Sequence, residues 1–339
     1  MAKIRFGIVG SGWRSLFYVR LFKRYPEIFD LVGVLCRSEE KALSFRALGV
    51  RAFLEEKEFL SLCPGFVVVA VNKASIADVS LSFVEKGLPV VCETPAAMTE
   101  EDLDRIWASH LGGGRILVAE QYPYLPEIRG LLENLESGLI GEVTSLYLSR
   151  AHEYHAFALM RAILAVPSSE AFSLRAITST FNVVRTQDRY KSYEDGVLKE
   201  SQRTTAYIVF ESGKTCLYDF EGEEYHSKIR GYSLRVSGVR GEFKDGTYTY
   251  LDKKNQVLEK TVSIKASEVR DDEEAIKIVL EKAGSLFSET KATEEETTLL
   301  SSALQDSYSA ILLREASEGG EIVISRTKGW NTVCRNTYQ

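Results

Sequence analysis

The chain has 339 residues, enough for two domains at about 150 residues each. An apolar fraction of 45% and a charged fraction of 27% exclude disorder over most of the length. Forty-two basic against forty-eight acidic side chains leave a net charge of −6, so there is no basic excess to grip a nucleic-acid backbone. No run of about 18–20 apolar residues is present to span a membrane. Met1 to Val9 runs straight into a strand pattern and lacks the layout of a signal peptide. The five cysteines, Cys36, Cys63, Cys92, Cys216 and Cys334, are odd in number and scattered, which reads as reduced thiols in a cytoplasmic protein.

The first 120 residues alternate short apolar runs with helical stretches. Strands are predicted at Ile4 to Val9, Leu31 to Leu35, Phe66 to Val71, Pro89 to Cys92 and Arg115 to Ala119. Between them fall helices at Trp13 to Tyr25, Glu39 to Leu48, Ile76 to Lys86 and from Thr99 to about His110. This spacing predicts an α/β domain with a parallel, doubly wound sheet. The remainder, 121–339, reads as a second, α+β domain, to which the family resemblance described below assigns substrate binding and oligomerisation. Pro126 to Ser137 is helical, Val143 to Arg150 alternates like a strand, and Phe172 to Ile264 is mostly strand. Glu211-Ser212-Gly213-Lys214 and Asp245-Gly246 mark hairpin turns, the second joining a strand at Leu234 to Phe243 with one at Thr247 to Leu251. Helices at Asp272 to Ala283 and Glu294 to Glu315 close the pattern. The sheet of this domain is expected to be large and mostly antiparallel.

Gly10-Ser11-Gly12-Trp13-Arg14-Ser15 sits between the first strand and the first helix and matches G-x-G-x-x-G, with Ser15 in place of the last glycine. Gly10 serves the tight turn. Gly12 lets backbone N–H groups approach a pyrophosphate at a helix N-terminus. The second strand ends in Cys36-Arg37-Ser38, with no carboxylate to repel a 2′-phosphate and with Arg37 and Ser38 placed to hold one. NADP is therefore expected over NAD, with Arg37 as a solvated surface charge the alternative.

The glycine loop, Val67-Val68-Val69-Ala70-Val71-Asn72 and Gly87-Leu88-Pro89-Val90-Val91-Cys92-Glu93-Thr94-Pro95 resemble the Gfo/Idh/MocA oxidoreductases. Gly138-Leu139-Ile140-Gly141-Glu142-Val143 and Val236-Ser237-Gly238-Val239-Arg240-Gly241 extend the resemblance along nearly the whole chain. It implies a Rossmann domain followed by an α+β domain whose open sheet face forms homodimers or homotetramers. It also implies hydride transfer between a nicotinamide and a small polar substrate, a sugar-like carbonyl or alcohol or an imine, in the manner of an NAD(P)-dependent dehydrogenase or reductase. Cofactor contacts are implied at Gly10, Gly12, Trp13, Arg14, Val71, Asn72, Glu93 and Pro95.

Two departures bear on catalysis. The family's Glu-Lys-Pro is Glu93-Thr94-Pro95 here, and threonine can orient a group but is a poor acid at neutral pH. The family's Asp-x-x-x-His falls on Ala151-His152-Glu153-Tyr154-His155, which keeps the histidine and loses the aspartate. His155 is the expected proton-transfer residue, since imidazole titrates near neutrality. Its rival reading is a helix-start histidine satisfied by backbone. His152, Tyr122 and Tyr154 are further candidates, Thr94 is expected to position substrate or carboxamide, and Lys73 could replace the missing cation. His152-Glu153-Tyr154-His155 looks like a shortened HExxH, but the spacing is three and a third ligand is not evident, so no metal is expected. The loss of both lysine and aspartate leaves a second reading open, a dinucleotide-binding sensor or regulator without catalysis.

Overall fold

The computed structural model describes residues 2–262 and 271–332. Met1, residues 263 and 264 of the strand-rich stretch, and Cys334 lie outside them. The chain divides into two compact units, Met1–Pro126 with Ser267–Ser307, and Glu127–Ala266 with Tyr308–Gln339. The sequence reading drew one boundary, at residue 120; in the structure, residues 267–307 lie in the first unit.

In the first unit, β1 (Ile4–Val9), α1 (Trp13–Arg24), β2 (Phe29–Leu35), α2 (Glu39–Ala47), β3 (Ala52–Phe53) and α3 (Glu56–Leu60) come first. Next are β4 (Phe66–Val69), α4 (Ile76–Glu85), β5 (Val90–Cys92), α5 (Glu100–Leu111) and β6 (Ile116–Val118). The six strands pair in parallel in the order β3-β2-β1-β4-β5-β6. All four residues of β4 and all three of β5 are buried, as expected of strands covered on both faces. Two residues of β3 are too few to show a periodicity, so that strand had no signal in the sequence. The order reverses between β1 and β4, and a doubly wound sheet opens its ligand crevice at such a point, beyond the carboxyl ends of the strands.

Two late helices complete this unit, α8 (Asp271–Phe287) and residues 294–307 of α9 (Glu294–Gly319). Ile276, Val279, Leu280, Ala283 and Leu286 form a three-to-four-spaced stripe on α8, buried in one core with Phe6, Ile8, Tyr18, Phe29 and Leu31. Each buried Ile or Leu contributes about 1.5–3 kcal/mol. Ion pairs add direction to this packing. Glu273 on α8 receives Arg20 of α1 at 3.0 Å, and Arg115, before β6, reaches the fully buried Glu296 of α9 at 2.5 Å. Arg115 also donates to the carbonyls of Leu286 and Glu289, which end α8 and open the following turn.

The second unit holds α6 (Pro126–Glu136), β7 (Val143–Ser149), α7 (Glu153–Leu164), β8 (Phe172–Val184), β9 (Leu198–Phe210) and β10 (Thr215–Glu221). It continues through β11 (Ser233–Gly238), β12 (Gly241–Lys244), β13 (Thr247–Leu251) and β14 (Val257–Thr261), and β15 (Val323–Ile324) returns to it. These strands form one sheet, ordered β14-β13-β12-β11-β7-β10-β9-β8-β15. Only β7 and β10 pair in parallel; the other neighbours are antiparallel. Asp245 and Gly246 both take positive φ, the primed turn that the sequence announced. The stretch Leu234 to Phe243, expected as one strand, is two. It folds back at Val239-Arg240, between Gly238 and Gly241; a side chain at Gly241 would stand 2.5 Å from the Thr249 carbonyl, so only glycine admits the close pairing of β12 with β13. Among the described residues, no helix is long and apolar enough to cross a membrane.

Glu296→Ala should leave the half-buried Arg115 guanidinium without its buried charge partner. Breaking a buried pair from one side costs about 3–5 kcal/mol. Chemical denaturation should show that loss in the first unit, and a change under about 1 kcal/mol would refute the anchoring role.

Candidate functional site

The end of β1 builds the first part of the site. Gly10 stands at φ +118°, and a Cβ there would lie 2.2 Å from the Ala70 carbonyl oxygen and 3.4 Å from the Val71 side chain. No other residue fits that turn. Ser15, in the position of the third glycine, is buried and donates its hydroxyl to the Gly10 carbonyl at 2.9 Å, which locks the turn to α1. Gly12 differs. Its backbone is extended, and nothing lies within 4 Å of where a Cβ would stand. It is the N-cap of α1, with no side chain capping the helix and no acidic residue in the first turn. Main-chain N–H groups at the positive end of a helix dipole, facing open space, suit the diphosphate of a dinucleotide. Trp13, the first residue of α1, is exposed beside them.

The side chain of Arg14 turns the other way. Its Nε donates to Glu93 Oε1 at 2.6 Å and its Nη2 to Gln121 Oε1 at 3.1 Å. Tyr18 gives its hydroxyl to the same Glu93 oxygen, and the Thr94 N–H reaches Glu93 Oε2 at 3.3 Å. Glu93 is 7% exposed, so this carboxylate is held inside the protein by a cation and two further donors. Burial opposes the charge on Arg14, but Glu93 beside it outweighs that and raises its pKa. Burial, then the Glu93 charge, holds the Tyr18 phenol well above its ordinary value. The guanidinium of Arg14 is thus committed to Glu93, and its main-chain N–H is what it presents at the turn.

Thr94 is half-buried and joins Pro95 through a cis peptide bond. The next N–H, at Ala96, donates to the Ser307 hydroxyl of α9 at 3.3 Å, so the Glu93-Thr94-Pro95 turn is tied at both ends. Tyr122, half-buried in the turn after β6, gives its N–H to Glu120 Oε1 at 2.9 Å. Asn72 accepts the Ser75 N–H at 3.0 Å and caps the short turn that contains the exposed Lys73. At the end of β2, Cys36 is buried, and burial raises its thiol pKa. Ser38 caps α2 by accepting the Lys41 N–H. Arg37 is exposed and makes no hydrogen bond or ion pair among the described residues. Cys92 is fully buried, and its thiol is pushed up to about 12, mainly by burial, which suits a packing residue.

The remaining candidates belong to the second unit. His152 is the N-cap of α7 and half-buried, while His155, one turn on, is 6% exposed. Their ring centroids are 5.1 Å apart. His152 Nδ1 lies 2.5 Å from the Tyr225 hydroxyl and its Nε2 lies 2.9 Å from the Tyr154 hydroxyl. Glu153, between the histidines, sits at φ +41°, a region that costs a non-glycine residue about 1–3 kcal/mol. Its N–H donates to the Tyr218 hydroxyl at 3.3 Å, and its carboxylate meets Arg314 at 3.4 Å. Burial raises the Tyr218 phenol pKa.

Sequence reasoning had no route to Tyr225, Tyr218 or Tyr18. Tyr225 is distant in the chain from His152, and only the parallel pairing of β7 with β10 brings their exits to one end of the sheet. The structure thus gathers Gly10, Val71, Arg14 and Glu93 in the first unit, and His152, Tyr154 and His155 in the second. A cavity of about 190 Å³ lies in the second unit at the C-terminal end of α7, lined by Glu136, Glu142, Arg161, Lys214 and mostly apolar side chains. It contains none of the candidate residues. No three His, Cys, Asp or Glu among the described residues are grouped to hold a metal.

Gly10→Ala should destabilise the first unit, since the turn has neither the space nor the φ for a side chain. Gly12→Ala should leave thermal stability nearly unchanged and weaken dinucleotide binding at least tenfold, because its Cβ meets only the space the ligand would fill. Paired melting and binding titrations check this; unaltered binding by Gly12→Ala would move the ligand elsewhere.

Residues 4–120 match the profile of the Gfo/Idh/MocA oxidoreductase family, described as an NAD-binding Rossmann fold. Among curated proteins, none matches the sequence. Solved structures do. An oxidoreductase from Agrobacterium radiobacter, in complex with NAD+, L-tartaric acid and magnesium, is 15% identical, with a TM-score of 0.71 over 95% of this chain and 98% of that one. A putative NADPH-dependent oxidoreductase from Desulfitobacterium hafniense is 14% identical, with a TM-score of 0.70 over 96% and 98%. The WlbA dehydrogenase from Bordetella pertussis, in complex with NADH and UDP-GlcNAcA, is 17% identical, with a TM-score of 0.67 over 97% and 99%. At these identities the likeness is one of fold. Residues 4–120, with the glycine turn and the parallel sheet that carries it, thus match the NAD-binding Rossmann domain of the Gfo/Idh/MocA oxidoreductase family.

Proposed function

We propose that this protein transfers a hydride between NADP and a small polar carbonyl, hydroxyl or imine compound. The observation that carries the reading is the uncapped N-terminus of α1, with open space before Gly12, at the reversal point of the sheet. When bound there, the dinucleotide supplies or accepts the hydride. Gly10 shapes the turn, and the N–H groups after Gly12 hold the diphosphate. Arg37, exposed and unpaired among the described residues, meets the 2′-phosphate. Ser38 assists, since a hydroxyl that accepts the Lys41 N–H still has its own hydrogen to give. Val71, Asn72 and the Glu93-Thr94-Pro95 turn complete the cofactor side.

Proton handling falls to the second unit. Reduction of C=O or C=N leaves an anionic atom that must be protonated, and the reverse reaction needs a base. His152 and His155 are the groups suited to it near neutral pH, with Tyr154 as the phenol between them in sequence. Thr94 and Tyr122 orient substrate by hydrogen bonds. The face of the second sheet that carries Arg175, Tyr207, Leu217, Tyr147 and Arg235 in one cross-strand row is the surface through which we expect the protein to form a homodimer or homotetramer. A monomer in sedimentation at micromolar concentration would remove that expectation.

Calorimetric titration with NADPH and NADH tests the cofactor assignment. NADPH should bind at least tenfold tighter, a gap of about 1.4 kcal/mol, and Arg37→Ala should abolish the difference. Tighter NADH binding would reverse the cofactor choice and leave the enzyme reading intact. Binding without turnover across a panel of carbonyl and imine compounds would favour the regulatory reading, which the loss of the usual lysine at Thr94 supports.

A further inference from the structure

We propose that Arg46 is a positioning residue that sets cofactor preference: it holds and neutralises Glu39, so that the end of β2 accepts a 2′-phosphate. The inference rests on the reading above, in which Arg37 and Ser38 meet that phosphate.

The end of β2 is less purely basic than Cys36-Arg37-Ser38 suggests. Ser38 is the N-cap of α2, and the first turn of that helix carries Glu39 and Glu40. Carboxylates in a first turn suit the helix dipole. A free one next to Ser38 would also repel the 2′-phosphate of NADP and would favour the ribose hydroxyls of NAD. Glu39 is not free. Arg46 Nη1 donates to its Oε1 at 2.6 Å. Seven residues are about two helical turns, so both side chains stand on one face of α2.

An ion pair between exposed side chains is ordinarily weak, because both must give up their freedom to form it. Here the guanidinium is already in place. Its Nε and Nη2 both donate to the Ala52 carbonyl, at 3.3 and 3.0 Å. Ala52 is buried in β3, and that strand is fixed to β2 on either side of it. The Val34 N–H reaches the Arg51 carbonyl at 2.9 Å, and the Cys36 N–H reaches the Phe53 carbonyl at 2.8 Å. Nη1 is the nitrogen left for Glu39. The carboxylate is thus drawn toward β3, whereas the glycine turn stands on β1, the other neighbour of β2. Both charges are felt at the end of β2. Burial raises the Cys36 thiol pKa, Arg46 opposes that rise, and Glu39 adds to it. Glu40 makes no ion pair among the described residues, which makes it the natural comparison.

Calorimetric titration of the full-length protein with NADPH and with NADH reads the preference. Arg46→Met should weaken NADPH binding about fivefold, as for one uncompensated charge near the phosphate in water, and leave NADH within about twofold. Glu39→Gln in that background should restore NADPH binding, although the bonds to Ala52 stay lost. Glu40→Gln should not. The deficit of Arg46→Met should fade in about 1 M salt, where charges are screened beyond about 3 Å. Equal loss of both dinucleotides, or no rescue by Glu39→Gln, would make Arg46 a strut between α2 and β3 and overturn the proposal. Glu39→Gln alone gives a test that does not depend on the folding of Arg46→Met. A neutralised Glu39 predicts NADPH affinity within about twofold of wild type, and a gain of about fivefold or more would show an unshielded carboxylate and overturn the proposal. NADPH preference in the wild type with failed rescue would remove the role of Arg46 alone. A wild type that prefers NADH, or binds neither, would remove the NADP reading itself and this inference with it.

Discussion

A buried carboxylate organises the carboxyl end of the parallel sheet. Glu93 lies just beyond β5, inside the protein, and is tolerable there only because Arg14, Tyr18 and the Thr94 N–H all turn toward it. An isolated charge at that depth would cost several kcal/mol, so each donor is required by the others. The pairing fixes the side chain of Arg14 away from the helix terminus and leaves the glycine turn lined by main-chain N–H groups. It also fixes the turn that carries Thr94, where the family has lysine. Gln121, after β6, is drawn in through Arg14. The ends of β5 and β6 and the start of α1 are therefore set by one ion pair, and Gly10, whose turn abuts Ala70, adds the end of β4.

The second unit depends on a constraint of a different kind. In a sheet that is otherwise antiparallel, β7 and β10 run side by side in the same direction. Their exits must then emerge at one end. One exit carries His152 and the other carries Tyr225, and the hydrogen bond between them follows from the topology. The Tyr225 phenol, from a neighbouring strand exit, stands on His152 Nδ1.

Much of this was legible in the sequence. The glycine spacing, the alternation of apolar runs with helices, and the primed turn at Asp245-Gly246 each report a local geometric demand, and local demands leave local signatures. Ser15 in the third glycine position read as a tolerable small residue; the structure adds that its hydroxyl bonds the Gly10 carbonyl. What escaped the sequence is what register decides. The pairing of Arg14 with Glu93, the return of α8 to the first unit, and Tyr225 beside His152 all join residues far apart in the chain. The break at Val239-Arg240, flanked by Gly238 and Gly241, was missed because Leu234, Val236 and Phe243 on either side suit one strand as well as two. Thr94 was found by departure from a motif and His155 by agreement with one, and either names a position without its partners.

The account rests most on the division of labour at α1, main chain for the diphosphate and the Arg14 side chain for Glu93. A crystal structure of the NADPH complex tests it directly. The account predicts the diphosphate against the N–H groups that follow Gly12, with Arg14 still paired to Glu93. A complex in which Arg14 leaves Glu93 to bind phosphate, or in which the dinucleotide lies away from Gly12, would contradict it.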